Sequence, residues 1–244
     1  MKKLLVAPVI VATLGVSSFA LAGGPDDMGQ SAATHNSQVI VGVDGGYAWG
    51  RAMQTQSWDQ GALLGQGVYT KNSAKEGNFT IGGHVAYLYT VMPKLAVGAQ
   101  LGYLHLGQTN VKATETLGPV SDSYNFKVNQ QLIDLLATVQ YDVYNGLNVF
   151  AQAGPAFVMQ ADNFDSTVAG ASQKKNINKV EPMIGAGVSY DYNNIVVSVA
   201  YDHLFGNKPS TTDVTQNANA TSKFSKDTYS ANVVLGSVGY ALPL

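Results

Sequence analysis

From residue 38 onward, apolar side chains recur at every second position, with Gly, Ala, Ser, Thr, Gln and Asp between them. Val39, Val41, Val43, Tyr47 and Trp49 share one face of a first segment over 38–50. The same spacing groups Phe79, Ile81, Val85, Tyr87, Tyr89 and Val91 over 78–91, and Leu95, Val97, Ala99, Leu101 and Tyr103 over 95–105. It continues with Ile133, Leu135, Ala137, Val139, Tyr141 and Val143 over 131–144. Leu147, Val149, Ala151, Ala153, Phe157 and Met159 follow over 147–159. Val180, Ile184, Ala186, Val188, Tyr190 and Tyr192 align over 179–192, and Ile195, Val197, Val199 and Tyr201 over 195–205. A period of two is that of a strand with one apolar face. The spacing therefore predicts eight strands, the last from 228 to the chain end. There two phases compete, because Val233 and Leu235 oppose Val234, Val238, Tyr240, Leu242 and Leu244. The second set is taken as outward, with a bulge expected near Gly236.

The connections alternate in length. Those over 53–76, 106–128, 161–178 and 206–227 are long, and those at Met92-Pro93, Asn145-Gly146 and Asn193-Asn194 are short. Asn-Gly is the strongest local hairpin signal, since a type I′ turn needs positive φ at both positions. Antiparallel strands with short turns at one end and long loops at the other form a bacterial transmembrane β-barrel. Pro155 and Pro182 fall on the apolar faces of strands five and six, where each removes a ladder donor. Both lie toward the long-loop ends, where irregular pairing is expected.

Alternation does not say whether the apolar face meets lipid or a core. A soluble barrel would carry charge along its outer wall. Here every Lys or Arg from Arg51 to Lys226 sits in a connection or at a strand end. Tyr87, Tyr89, Tyr141, Tyr190, Tyr192 and Tyr240 collect toward the short turns, and Trp49, Phe79, Tyr103, Phe157 and Tyr201 toward the long loops. Two aromatic girdles mark two membrane interfaces. The opposite face is built of Gly42, Gly46, Gly82, Gly98, Gly102, Gly185, Gly187 and Ala200 with polar groups among them, as a narrow interior requires.

Composition agrees. Charged residues are 12% of the chain, about half the usual share of a soluble domain. Formal net charge is −2, which offers no basic field for nucleic acid, and cysteine is absent. Residues 1–22 read as a cleaved signal peptide: Lys2-Lys3, an apolar stretch over 4–16, then Ala20-Leu21-Ala22 before Gly23. Residues 23–37 read as a flexible leader and 38–244 as the barrel.

Phrases such as Ile184-Gly185-Ala186-Gly187-Val188-Ser189-Tyr190-Asp191-Tyr192 make the chain from 38 to 244 similar to the OmpA-like eight-stranded outer-membrane proteins of Gram-negative bacteria. The resemblance implies an all-β, antiparallel up-and-down transmembrane barrel surrounded by outer-membrane lipids and lipopolysaccharide. It also implies insertion by the barrel-assembly machinery. Tyr240, Leu242 and Leu244 stand where the family carries its terminal assembly signal, which usually ends in Phe. The resemblance is to the barrel part of the family, so a peptidoglycan-binding domain and cell-wall tethering are not expected here. A monomer is expected.

The inward phase carries Asp44, His84, Gln100, Asp134, Gln140, Asp142, Gln152, Lys179, Glu181, Asp191 and Asp202. The expectation is a network of hydrogen bonds that plugs the barrel; the alternative is a narrow cation-preferring path, since acids outnumber fixed positive charges. A lipid A-modifying hydrolase would need His beside Ser near the outer rim. His84, His105 and His203 have no Ser close by in sequence, and His203 is expected on the lipid face. No enzyme, cofactor or metal site is expected. The long loops remain as surfaces for host, phage or neighbouring proteins. The Trp58, Leu63, Leu64, Val68 and Tyr69 group within 53–76 is expected to cover the barrel mouth.

Overall fold

The computed structural model describes residues 37–50, 68–75, 77–117, 120–166, 172–206 and 228–244. Alternation becomes β1 (Ser37–Gly50), β2 (Val68–Lys75), β3 (Gly77–Met92), β4 (Leu95–Leu117) and β5 (Val120–Tyr144). They are followed by β6 (Leu147–Ser166), β7 (Ser172–Tyr192), β8 (Ile195–Leu204) and β9 (Ala231–Pro243). All pairings are antiparallel, and β1–β9 together with β4–β5 close the sheet into a ring. β2 pairs with the upper part of β4 while β3 pairs with its lower part, so β2 continues β3. The ring thus has the eight up-and-down staves that the spacing predicts.

The short connections are turns. Asn145 and Gly146 both have positive φ, as do Asn193 and Asn194, which is the backbone of type I′ hairpins. The expected leader loses its last residue, Ser37, to β1, where its carbonyl accepts from Leu244 N at 3.0 Å. The rest of 1–37 and the expected loop tips at 51–67 and 207–227 lie outside the described residues.

Three expected loops instead hold strand. β2 takes 68–75 of the 53–76 connection, so Val68 and Tyr69, expected to cover the mouth, pair in the wall with Thr116 and Glu115 of β4. Trp58, Leu63 and Leu64 lie outside the described residues. β4 and β5 run past residue 106 and back to 128 as one hairpin, and β6 and β7 extend to Ser166 and from Ser172. These upper stretches, such as Asn110 to Leu117, rise beyond the lipid. No apolar solvent there imposes an apolar face, so the alternation that identifies the lower strands fades while pairing continues.

The bulge expected at Gly236 does not exist: β9 keeps one register with both β1 and β8 from Ala231 through Tyr240. Val233 and Leu235 point inward because the upper interior is apolar there. The two prolines face one another across β6 and β7. The β5–β6 ladder skips Pro155, and Pro182 sits where β8 ends, its carbonyl accepting from Phe205 N at 2.9 Å. Both therefore lie where a missing donor interrupts little.

The inside is layered. Leu104, Leu106, Leu132, Leu136, Val158, Met183, Leu204, Val233 and Leu235 pack together toward the long-loop end. Ile40, Ala86, Leu88, Val196 and Ala241 pack at the short-turn end. Outside, Val43, Ile81, Leu101, Leu135, Val188 and Val238 are exposed where lipid would cover them. In the upper girdle Trp49 lies 6.2 Å from Tyr201, and Tyr47 6.2 Å from Phe79. Closure leaves no free strand edge in the membrane. The purified protein should therefore run at different positions on gels before and after boiling; equal mobility of a sample shown to be folded contradicts a closed barrel.

Candidate functional site

The eleven inward polar residues do not form one network; the structure separates them into three groups. The central group lies between the two apolar layers. Asp44 (β1), His84 (β3), Gln100 (β4), Asp134 (β5), Gln152 (β6) and Asp202 (β8) line a cavity of about 50 Å³ together with Ser198 and Ser237. His84 Nδ1 lies 2.8 Å from Asp44 Oδ1, and the Ser237 hydroxyl donates to that same oxygen at 2.5 Å. The Gln152 amide donates to Asp202 Oδ1 at 2.6 Å.

Room for these side chains comes from glycine on the neighbouring strand. Gly42 is opposite His84, Gly102 opposite Asp134, and Gly185 opposite both Asp202 and Gln152. A methyl group at Gly42 would stand 2.5 Å from the His84 ring, and one at Gly102 would stand 2.7 Å from the Asp134 carboxylate. Gly42, Gly102 and Gly185 are thus matched, by register, to the polar groups that need their space, whereas a side chain at Gly46, Gly82 or Gly98 would meet a carbonyl oxygen of the neighbouring strand.

A second group belongs to the short-turn rim. Asn148 donates to Asp191 Oδ2 at 3.1 Å and to the Gly146 carbonyl at 3.0 Å. Asp142 N donates to the Lys94 carbonyl at 2.8 Å, and Gln140 stands two residues along the same face. The third group is at the outer mouth. There the Thr228 hydroxyl donates to Glu181 at 2.6 Å, with half-buried Lys179 two residues away on β7.

The mouth also holds residues that the sequence reading omits. Gln130 Nε2 donates to Gln160 Oε1 at 2.8 Å and to the Tyr229 carbonyl at 3.0 Å. Tyr229 N donates to Gln160 Oε1 at 3.0 Å, and Gln160 Nε2 reaches both oxygens of Asp162 at 3.0 and 3.1 Å. These bonds hold the Thr228–Tyr229 pair inside the mouth, where Thr228 is fully buried. Gln130, Gln160 and Asp162 keep the inward phase of their strands, so the signal was present. The expected segments 131–144 and 147–159 stop short of all three, because the lipid-facing alternation that delimits them fades there.

Asp162 stands above the lipid, because its neighbour Asn163 pairs with Lys127 and Lys174 on the outer wall. Burial pushes its carboxyl up to about 6, opposed by the Gln160 amide and the Lys175 ammonium. A folded-state pKa above the unfolded value means that the folded chain binds more protons between about pH 4 and 6. Stability should accordingly fall as pH rises through that window, by up to roughly 3 kcal/mol. Asp162→Asn should flatten the profile and stabilise the protein at pH 8; urea midpoints at several pH values will show it, and an unchanged slope contradicts it.

Asp44 joins three strands, so its loss is felt in the ring. Asp44→Ala should cost about 1–3 kcal/mol, through the donors left without an acceptor. Asp44→Asn, which keeps an oxygen at that place, should cost less in the same urea titration.

His84, Asp44 and Ser237 do not make a hydrolase triad. The carboxylate sits between the other two, whereas nucleophile activation needs the imidazole in the middle. His84 Nε2 instead faces Gly42. His203 is on the outer face as expected, its Nδ1 2.8 Å from Asn232 Oδ1 and its ring against Phe205. Among the described residues, no cluster of three His, Asp or Glu could hold a metal ion.

The model of the OmpA-like transmembrane domain matches residues 34–239. The chain is 25% identical over 241 residues to an uncharacterized protein of Coxiella burnetii, a match spanning 90% of this chain and 96% of that one. It is similar to the crystal structure of Ail, the attachment invasion locus protein of Yersinia pestis. That likeness has 14% identity and a TM-score of 0.42 over 86% of this chain and 100% of the other. The N-terminal β-barrel domain of Pseudomonas aeruginosa OprF is similar at 13% identity and a TM-score of 0.38, over 85% and 98% of the two chains.

Proposed function

This chain belongs to the OmpA-like transmembrane domain family of the Gram-negative outer membrane, and from that premise we propose a structural, surface-facing barrel whose interior does not conduct. The observation that carries this reading is the upper apolar layer. Leu132, Leu136, Val158, Met183 and Leu204, from β5 to β8, are each at most 1% exposed and pack in one cluster with Ala48 of β1, Leu104 of β4 and Val233 of β9, so the layer reaches across the interior rather than lining a pore. An ion crossing that layer would shed its hydration without compensation. The Thr228–Tyr229 pair bonded into the mouth lies above it.

The chain is no enzyme in this reading, because the imidazole of His84, the one that lines the central cavity, is bonded to a carboxylate and not to a nucleophile. What remains for function is the raised wall of β4 to β7, which stands above the outer girdle and would meet partners at the cell surface. The test is conductance. Protein reconstituted in planar bilayers should give no stepwise current above background. Reproducible cation-selective steps would sink the reading in favour of a narrow channel, which the acidic central belt would then explain.

A further inference from the structure

The central chamber carries more negative charge than its walls answer. Asp44 is engaged by both His84 and Ser237. Asp202 spends one oxygen on Gln152 and leaves Oδ2 without a partner, and Asp134 leaves Oδ1 without one. These two side chains are 1% and 2% exposed, and both line the chamber. No Lys or Arg lines it. A buried carboxylate oxygen is strongly disfavoured unless a donor or a cation meets it.

We propose that the chamber between Asp134 and Asp202 is a binding site for one small monovalent cation of sodium or lithium size. The uncommitted groups nearby, Gln100 and Ser198, offer oxygen, the donor that hard cations take. The volume of about 50 Å³ suits an ion with a few waters, at roughly 10–15 Å³ for each water-sized body. Asp44, His84, Asp134 and Asp202 all line the chamber, but no three of them are placed to share one metal ion, which disfavours a calcium-type cage that needs several charged oxygens at once. One or two carboxylates beside neutral oxygens suit a single positive charge. The site is also kept open by construction, since any side chain at Gly102 or Gly185 would enter the carboxylates that flank it. Binding and flux are read by different measurements, so this inference and the non-conducting interior can fail separately.

The folded barrel in detergent micelles at pH 8 is unfolded with urea in lithium, sodium, caesium or choline chloride at equal ionic strength. The urea midpoint should rise saturably with lithium or sodium and stay low in caesium and choline. Asp202→Asn should abolish that difference, and Asp142→Asn, at the short-turn rim, should retain it. Should Asp202→Asn fail to fold, the wild-type ion series decides alone. Equal midpoints in all four salts overturn the proposal, as does stabilisation by caesium that matches or exceeds that by sodium and lithium.

Discussion

Ala99→Lys should lower folding stability in a bilayer by about 2–4 kcal/mol, the cost of a lipid-facing cation near the midplane. Ala99 is exposed on the outer face, midway along β4 between the turn at Lys94 and the girdle residue Tyr103. The next residue reverses the expectation. Gln100 points into the chamber that Asp134 and Asp202 line, so Gln100→Lys supplies there a tethered positive charge. It should cost far less than its neighbour, and Gln100→Glu, which adds like charge without volume, should cost more than Gln100→Lys. Urea unfolding in lipid vesicles measures all three. If Gln100→Lys is the worst of them, the belt is not short of positive charge. If Ala99→Lys is harmless, β4 does not face lipid at that height.

Leu132→Ala should be as damaging, at about 2–5 kcal/mol, because the side chain is completely buried in the upper apolar layer. Leu132→Met, which conserves volume, should cost under about 1.5 kcal/mol. The pair separates packing from polarity: were the upper interior a hydrated polar network, truncation to Ala would cost little. The same titration checks both variants.

The membrane-embedded fold could be read from the sequence because lipid imposes a strict rule on it. Val39, Val41 and Val43 must be apolar, and their neighbours need not be. That contrast fixed the outward phase of all eight staves, including His203. It stopped at the membrane surface, so the hairpin of β4 and β5 above residue 106, with water on its outer side, read as loop. The interior was half legible. Asp44, His84, Gln100, Asp134, Gln152 and Asp202 were placed inward and do meet, whereas Gln140, Asp142, Asp191 and Glu181 face inward but at the two ends. Height is the missing coordinate: strand tilt and stagger determine which inward residues share a level, and a period of two does not encode them. The inward leucines were the larger omission. Leu104, Leu132, Leu136 and Leu204 stand out of phase with the lipid face, and such a set already implies a second apolar surface.

The hydrogen bond from Ser237 to Asp44 links positions 193 residues apart, across the seam where the last strand meets the first. Strands β3 to β8 can zip locally, since each pairs with its successor in the chain. The seam has no such shortcut, and contacts of this sequence separation form late. Until they do, one wall of the central chamber is missing and its acids remain open to the surroundings. The interior is therefore filled as an event in time, when the ring shuts. What it first encloses is set by the medium present at that moment.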